Sequence, residues 1–191
     1  VEMPLEDVPI VQKRIIRIAN QKNKLVITAT QMLESMIHSP IPTRAEASDV
    51  ANAIFDGTDM VMLSAETAIG DFPGESIATM DRIILQSEGA SKEWGHAKDE
   101  NEDDNLEGVS IVKAARELAH DRDVAAIAVF TRSGQTAKLM AKMRPNVPIV
   151  AFTPEERIYQ RLSFYWGVHP QHVDYSSTVE EMINCVEQEM I

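Results

Sequence analysis

Two short apolar runs in the first part of the chain each lead into polar side chains. The runs lie at 25–27 and 60–63, and a helix-like segment at 43–55 separates them. The polar residues that follow the two runs are Thr30, Gln31, Ser64 and Glu66. Strand, helix and strand in this order predict a parallel βα arrangement, in which the carboxyl ends of both strands share one rim. We therefore expect these four side chains on the same rim of a sheet.

The hydroxyl of Thr30 has two interpretations. At the carboxyl end of a strand, a threonine hydroxyl can bind a substrate carboxylate or take part in a proton relay. The same hydroxyl can instead cap the next turn of the chain, which is a purely structural role. Residue type and position alone leave both interpretations open.

A second candidate site follows the apolar run 124–130. Its residues are Thr131, Arg132, Ser133, Gly134, Gln135 and Thr136. Free N–H groups at the start of a helix, three hydroxyls, one arginine and a glycine that permits close approach favour phosphate binding. The segment lacks the lysine and the spacing of a P-loop. The alternative is an ordinary strand-to-helix turn in which Ser133 caps the helix.

Periodicity predicts the elements that position these residues. The first half reads as helices at 5–20, 43–55 and 75–90 around strands at 25–28 and 60–63, with Thr43 and Glu46 matching a capping box. The second half alternates helices at 108–120, 133–143, 154–164 and 178–190 with strands at 124–130, 148–152 and 167–173. This alternation predicts a small open α/β sheet, mostly parallel. Since the run 124–130 does not alternate, we expect it to be buried on both faces.

An acidic segment divides the two halves. Residues 98–107 contain six acidic residues against one lysine, a net charge of −5. A metal-binding cluster is one interpretation, but like charges without ligand spacing favour a solvated linker. We therefore predict domains at 1–90 and 108–191, joined by an acidic linker at 91–107.

Composition narrows the class of protein. The chain has 191 residues, a formal net charge of −12 and a pI near 4.8, which argue against binding to nucleic acid or to anionic membranes. A single cysteine, Cys185, excludes an intrachain disulfide and fits a reducing compartment, so we expect a cytoplasmic protein. No apolar run reaches the length of a membrane span.

Four motifs in the first half carry a family resemblance. They are Thr-Gln-Met-Leu-Glu-Ser-Met at 30–36, Pro-Thr-Arg-Ala-Glu at 42–46, Asp-Val-Ala-Asn-Ala at 49–53 and Met-Leu-Ser-Ala-Glu-Thr at 62–67. In this order they closely resemble the seventh and eighth βα units of pyruvate kinase. The resemblance continues to residue 191 and is weaker over 91–123. It implies a partial (β/α)8 barrel at 1–90 and the C-terminal α/β domain of that family at 108–191, without its last strands. We expect an internal fragment of a longer protein.

The resemblance also implies an activity, phosphoryl transfer from phosphoenolpyruvate to ADP. Thr30 would lie against the carboxylate of phosphoenolpyruvate, and Ser64 would belong to a network of hydroxyls and waters that protonates the enolate. Gln31 and Glu66 would support this rim. The family requires Mg²⁺ or Mn²⁺ together with K⁺, and their ligands lie on earlier barrel strands, which are absent from this chain. The isolated chain is therefore expected to be inactive.

The resemblance further implies regulation and assembly. The matching loop holds a phosphate of an allosteric sugar phosphate, through positions that correspond here to Thr131, Arg132, Ser133, Gly134 and Thr136. The helix at 43–53 and the last domain form tetramer contacts in the family, so we expect a homo-oligomer. Two alternatives remain, a non-catalytic module that binds sugar phosphate and an oligomerisation module. An activity assay separates catalysis from both, and titration with a phosphate ligand separates the two modules.

Overall fold

The structure, a computed structural model, describes residues 3–94, 108–121, 123–176 and 178–190. The chain divides into two units, Val1–Glu102 and Asp103–Ile191, and each unit has its own hydrophobic core. Most of the acidic segment at 91–107 lies outside the described residues, so the predicted linker and domain limits stay predictions. No helix in the described ranges combines the length and the hydropathy needed to cross a membrane.

The first unit is built around a pair of parallel strands. Its elements, in chain order, are a 3₁₀ turn at Leu5–Asp7, α1 (Val8–Gln21), β1 (Ile27–Ala29), a 3₁₀ turn at Glu34–Ile37, α2 (Arg44–Phe55), β2 (Met60–Met62), α3 (Ala65–Ala68) and α4 (Pro73–Trp94). Ile27 pairs with Met60 and Ala29 with Met62. The α/β class with parallel pairing is therefore confirmed, although each strand is only three residues long.

Helix α2 begins at the predicted capping box. The Thr43 hydroxyl accepts a hydrogen bond from the Glu46 N–H at 3.3 Å, and the Glu46 carboxylate accepts one from the Thr43 N–H at 2.7 Å. These two bonds satisfy N–H groups that the first turn of a helix leaves without partners. The helix ends before Gly57, whose φ of 88° favours glycine.

The core of the first unit is formed by residues that follow β1 together with residues of α2 and α4. Its buried members are Met32, Leu33, Met36, Val50, Ala53 and Met80. Leu33 and Met36 are completely buried. Burying an aliphatic side chain of this size is worth roughly 1.5–3 kcal/mol, so this packing holds the segment after β1 against α2 and α4.

The second unit contains a three-stranded parallel sheet. Its elements are α5 (Val109–Asp121), β3 (Ile127–Phe130), α6 (Gln135–Lys142), β4 (Ile149–Thr153), α7 (Glu156–Leu162), β5 (Val168–His172) and α8 (Val179–Met190). The strands lie in the order β3-β4-β5, and both pairs are parallel. The predicted small, mostly parallel α/β sheet is confirmed.

The strand buried on both faces is β4 and not the run 124–130. Four of its five residues are buried, whereas Ala128 of β3 is exposed. The expectation for 124–130 is wrong because β3 forms an edge of the sheet among the described residues. The other edge, β5, contains Pro170, which an edge strand tolerates because it needs fewer backbone donors.

We expect the 191-residue chain to self-associate at micromolar concentration. Ile27 of β1 is 55% exposed and Met62 of β2 is 44% exposed, so the strand pair presents apolar side chains and open edges to water. Replacing Ile27 with Thr and Met62 with Gln should lower the weight-average mass in sedimentation. Ile77→Thr, on an exposed position of α4 outside the strand pair, is the matched control. A monodisperse monomer of the parental chain with protected strand amides in hydrogen exchange would contradict this expectation.

Candidate functional site

The predicted rim residues lie at one end of the β1–β2 pair. Thr30 directly follows Ala29, and Ser64 lies two residues beyond Met62, the pairing partner of Ala29. The side chains of Thr30 and Ser64 are both exposed. The structure therefore places the two hydroxyls at the carboxyl ends of neighbouring parallel strands, where ligands bind in α/β proteins.

The backbone at Thr30 and Gln31 is strained. Their φ angles are 70° and 54°, a left-handed conformation that is uncommon for residues other than glycine, above all for β-branched threonine. Such conformations cost on the order of 1–3 kcal/mol each and persist where the surrounding structure imposes them. The Thr30 hydroxyl donates a hydrogen bond to the Ala29 carbonyl at 2.6 Å.

Glu66 joins the two strand ends. Its side chain is almost completely buried, with 2% exposure. Its Oε1 accepts a hydrogen bond from the Leu33 N–H at 3.1 Å, and its Oε2 accepts one from the Ser64 N–H at 2.8 Å. One carboxylate thus fixes the segment after β1 to the segment after β2.

Backbone donors keep Glu66 ionised. Burial raises the pKa of the Glu66 carboxyl, because a charged group loses hydration, and the nearby charge of Glu46 also raises it. Hydrogen bonds from the N–H groups of Ser64, Glu66 itself and Leu33 outweigh both effects and hold the pKa below its ordinary value of 4.5. At neutral pH the rim therefore contains a buried carboxylate with several backbone N–H donors.

A second carboxylate, Glu46, also contacts the segment that follows β1. From the sequence, Glu46 is predicted only as part of the capping box of α2. Its Oε1 accepts a hydrogen bond from the Ser35 N–H at 2.7 Å, and its Oε2 accepts one from the Ser35 hydroxyl. Burial raises the pKa of the Glu46 carboxyl, but the bonds from Ser35 and Thr43 lower it below 4.5. Ser35 lies 11 residues before Glu46, so no local pattern in the sequence indicated this contact.

The opposite end of the strand pair is closed by structural hydrogen bonds. Asp59, which is buried, accepts a hydrogen bond from the Val26 N–H at 2.8 Å. The Thr28 hydroxyl donates to the Thr58 hydroxyl at 2.9 Å. The hydrogen bonds at this end therefore stabilise the strand pair. The exposed hydroxyls of Thr30 and Ser64 lie at the other end of the pair.

The second candidate site has a preformed loop. Thr131 is buried, and its hydroxyl accepts a hydrogen bond from the Gly134 N–H at 2.9 Å. Gly134 has a φ of 80° and occupies the N-cap position of α6, while the Ser133 hydroxyl accepts a hydrogen bond from the Gln135 N–H at 3.4 Å, so Ser133 caps the first turn from one residue further out. A Cβ at Gly134 would approach the Ile158 side chain at 3.4 Å. That distance is an ordinary van der Waals contact, so it is the backbone angle that favours glycine here.

The surface of this loop carries the remaining predicted residues. Arg132, Ser133 and Thr136 are exposed. The Arg132 guanidinium lies 3.9 Å from a Glu155 carboxylate oxygen and 5.6 Å from the centre of the Tyr175 ring. The loop thus presents a cation and two hydroxyls at the start of α6, while the Thr131 hydroxyl shapes the loop from inside.

We expect Glu66 to make the stability of the first unit depend on acid. Because its pKa is lower in the folded chain than the ordinary 4.5, ionised Glu66 stabilises the fold above pH 4.5. This contribution is lost as the pH falls through the folded pKa. Glu66→Gln should lower the free energy of unfolding at pH 7 by about 1–3 kcal/mol and flatten the pH dependence below pH 4.5.

Urea unfolding at several pH values checks this expectation. Glu75→Gln, at an exposed position in the first turn of α4, is the matched control. An unfolding free energy that is the same in Glu66→Gln and in Glu75→Gln at pH 7 would show that the Glu66 hydrogen bonds contribute nothing.

Comparisons with known proteins give both units the same family. The family model for the pyruvate kinase barrel domain matches residues 1–77, and the model for the pyruvate kinase alpha/beta domain matches residues 109–191. Pyruvate kinase from Methylorubrum extorquens is 47% identical over 95% of this chain and 38% of its own length. Pyruvate kinase from Sporosarcina psychrophila is 48% identical over 96% of this chain and 31% of its own length.

A solved structure agrees with these sequence matches. The crystal structure of a pyruvate kinase from Cryptosporidium parvum superposes with a TM-score of 0.85 and 36% identity, over 100% of this chain and 40% of that one. The chain spans about a third of the length of the curated relatives it matches. Strand order, rim motifs and matches over both units lead to one conclusion: the chain belongs to the pyruvate kinase family.

Proposed function

We propose that this chain supplies one rim of the active site in a pyruvate kinase, which transfers a phosphoryl group from phosphoenolpyruvate to ADP in glycolysis. The observation that carries the proposal is the pair of exposed hydroxyls, Thr30 and Ser64, at the ends of neighbouring parallel strands. Family membership supports the assignment of the reaction. Gln31 and Glu66 support the rim without contacting substrate.

The reaction needs a proton after the phosphoryl group has moved. The bond between phosphorus and the enol oxygen of phosphoenolpyruvate breaks, and a bond forms between phosphorus and the terminal phosphate oxygen of ADP. The remaining enolate gains a proton at its methylene carbon, which gives pyruvate and ATP. Ser64 would belong to the network of hydroxyls and waters that delivers this proton.

Thr30 would bind the substrate carboxylate. Its single hydroxyl proton is directed at the Ala29 carbonyl, so donation to a carboxylate requires the hydroxyl to rotate away from that carbonyl. A hydroxyl that can change its acceptor suits a site that alternates between water and an anionic substrate. The strained backbone at Thr30 is the kind of feature that functional sites retain.

Metal ions enter this reaction in the family, with Mg²⁺ or Mn²⁺ and K⁺ as the proposed ions, and they neutralise charge on the moving phosphoryl group. In the part of the chain that the structure describes, no three His, Cys, Asp or Glu side chains are grouped so that they could hold a metal ion. We assign the ligands to segments of the longer protein outside this chain.

The first test concerns turnover. The 191-residue chain should show no turnover of phosphoenolpyruvate and ADP above background, because the two strands that the structure describes in the first unit do not form a closed barrel. In a full-length protein that contains this chain, Thr30→Ala and Ser64→Ala should each lower kcat roughly a hundredfold. Ser110→Ala, an exposed hydroxyl on α5, is the control. Parental kcat in both rim variants would refute the role of the rim.

We infer a second function for the loop at 131–136, binding of an anionic effector such as a sugar phosphate. The left-handed Gly134, the start of α6 and the exposed Arg132, Ser133 and Thr136 support this inference. Thr131 would hold the shape of the loop from inside. A module that binds sugar phosphate without catalysis is the alternative for the chain by itself.

Calorimetry with a sugar phosphate tests the loop. Replacing Arg132 with Glu and both Ser133 and Thr136 with Ala should abolish binding, because the variant loses the cation and two hydroxyl donors. Arg82→Glu, at an exposed arginine on α4 of the first unit, makes one of the same charge changes and should leave binding intact. Unchanged affinity in the triple variant would refute the site.

Assembly and compartment complete the proposal. We propose a homo-oligomer, a tetramer as in the family, with α2 and the second unit in the contacts. An oligomerisation module is the remaining alternative for the chain alone. The single cysteine supports a reducing compartment, and we propose the cytoplasm.

A further inference from the structure

The segment from Thr30 to Ser35 is fixed at two points by two different carboxylates. Glu66 accepts the hydrogen bond of the Leu33 N–H, and Glu46 accepts that of the Ser35 N–H. Leu33 itself is completely buried in the core. The strained residues Thr30 and Gln31 therefore lie between β1 and a segment that two acidic side chains hold in place.

Glu46 makes more contacts than a capping box requires. A capping box needs one bond from the carboxylate to the backbone N–H of the N-cap residue. Here the same carboxylate accepts hydrogen bonds from the Thr43 N–H at 2.7 Å, the Thr43 hydroxyl at 2.8 Å, the Ser35 N–H at 2.7 Å and the Ser35 hydroxyl. The contacts to Ser35 add nothing to the start of α2, so they serve the segment after β1.

Strain explains why this segment needs a second anchor. A threonine and a glutamine in succession with positive φ would relax to ordinary backbone angles if the residues after them could move. The Leu33 bond fixes one point, and the Ser35 bond fixes a second point two residues further on. Two fixed points determine both the position and the direction of the segment, whereas one point leaves rotation about it.

We propose that Glu46 is a positioning residue that acts through Ser35 to hold the Thr30 hydroxyl in its place on the rim. This inference rests on the proposed function, since it gives Thr30 a role in turnover. Glu46 lies in the first turn of α2 and accepts hydrogen bonds from Ser35 and Thr43. It would therefore affect the reaction through the position of the segment after β1 and not by contact with substrate. Correct placement of a reacting group can change rates a hundredfold for displacements near 1 Å.

A double-mutant cycle in a full-length protein that contains this chain tests the proposal. The cycle uses the parental protein, Glu46→Gln, Thr30→Ala and the combined variant. Glu46→Gln alone should lower kcat about tenfold and leave the KM for ADP unchanged, because a smaller displacement costs less than loss of the group. In the Thr30→Ala background, Glu46→Gln should change kcat less than about twofold, since no Thr30 hydroxyl remains to be misplaced.

The cycle separates failure of this inference from failure of the proposed function. If Thr30→Ala keeps parental kcat, Thr30 has no role in turnover and the positioning role of Glu46 falls with it. The proposed rim falls only if Ser64→Ala keeps parental kcat as well. If Thr30→Ala lowers kcat but Glu46→Gln lowers it equally in both backgrounds, the proposed function stands and the positioning role is refuted. Parental kcat in Glu46→Gln alone also refutes the positioning role.

Two further variants guard against a general loss of structure. Ser35→Ala removes only the hydroxyl contact to Glu46 and keeps the N–H bond, so it should fold and lower kcat by a smaller factor that also vanishes in the Thr30→Ala background. Glu181→Gln alters a comparable capping box, in which Glu181 and Thr178 exchange two bonds of 3.2 Å at the start of α8. This control should leave kcat unchanged. A Ser35→Ala effect that persists without the Thr30 hydroxyl would overturn the proposal.

Discussion

The hydrogen bonds of one buried carboxylate determine the shape of the candidate active-site rim. Strands β1 and β2 are three residues long, so their ladder supplies few bonds to hold the segments that follow them. Glu66 supplies the missing connection by accepting the N–H groups of Leu33 and Ser64. Without this carboxylate, the buried Leu33 N–H and the partly buried Ser64 N–H would both lose their partner, and an unsatisfied buried donor costs about 1–3 kcal/mol.

The rim brings two like charges near each other and tolerates them for a physical reason. The charge of Glu46 opposes ionisation of Glu66, and burial opposes it further. Each carboxylate nevertheless accepts several short bonds from N–H or hydroxyl donors, which favour the ionised form. Both carboxylates therefore accept hydrogen bonds from several backbone N–H groups. The hydroxyls of Thr30 and Ser64 remain exposed to solvent.

The second unit prepares its candidate site by different means. No carboxylate is needed, because the Thr131 hydroxyl and the left-handed Gly134 shape the loop locally. Ile158 of α7, which packs against the core of the second unit, lies close to the place that a side chain at Gly134 would occupy. The loop thus presents hydroxyls and Arg132 at the start of α6, and the negative charge nearest to Arg132, the Glu155 carboxylate at 3.9 Å, is exposed to solvent and not buried.

The sequence by itself determined the class of fold, the helices and strands to within a few residues, the capping box at Thr43 and the motifs of the family. These features depend on periodicity and on contacts within a few residues, which a linear pattern records. Tertiary structure alone decided that Glu66 bridges two strand ends, that Glu46 reaches back to Ser35 and that β4 is the buried strand. It also decided the left-handed backbone at Thr30. Each of these depends on segments far apart in the chain meeting in space, and neither hydrophobic periodicity nor residue type specifies which buried donor a carboxylate will find.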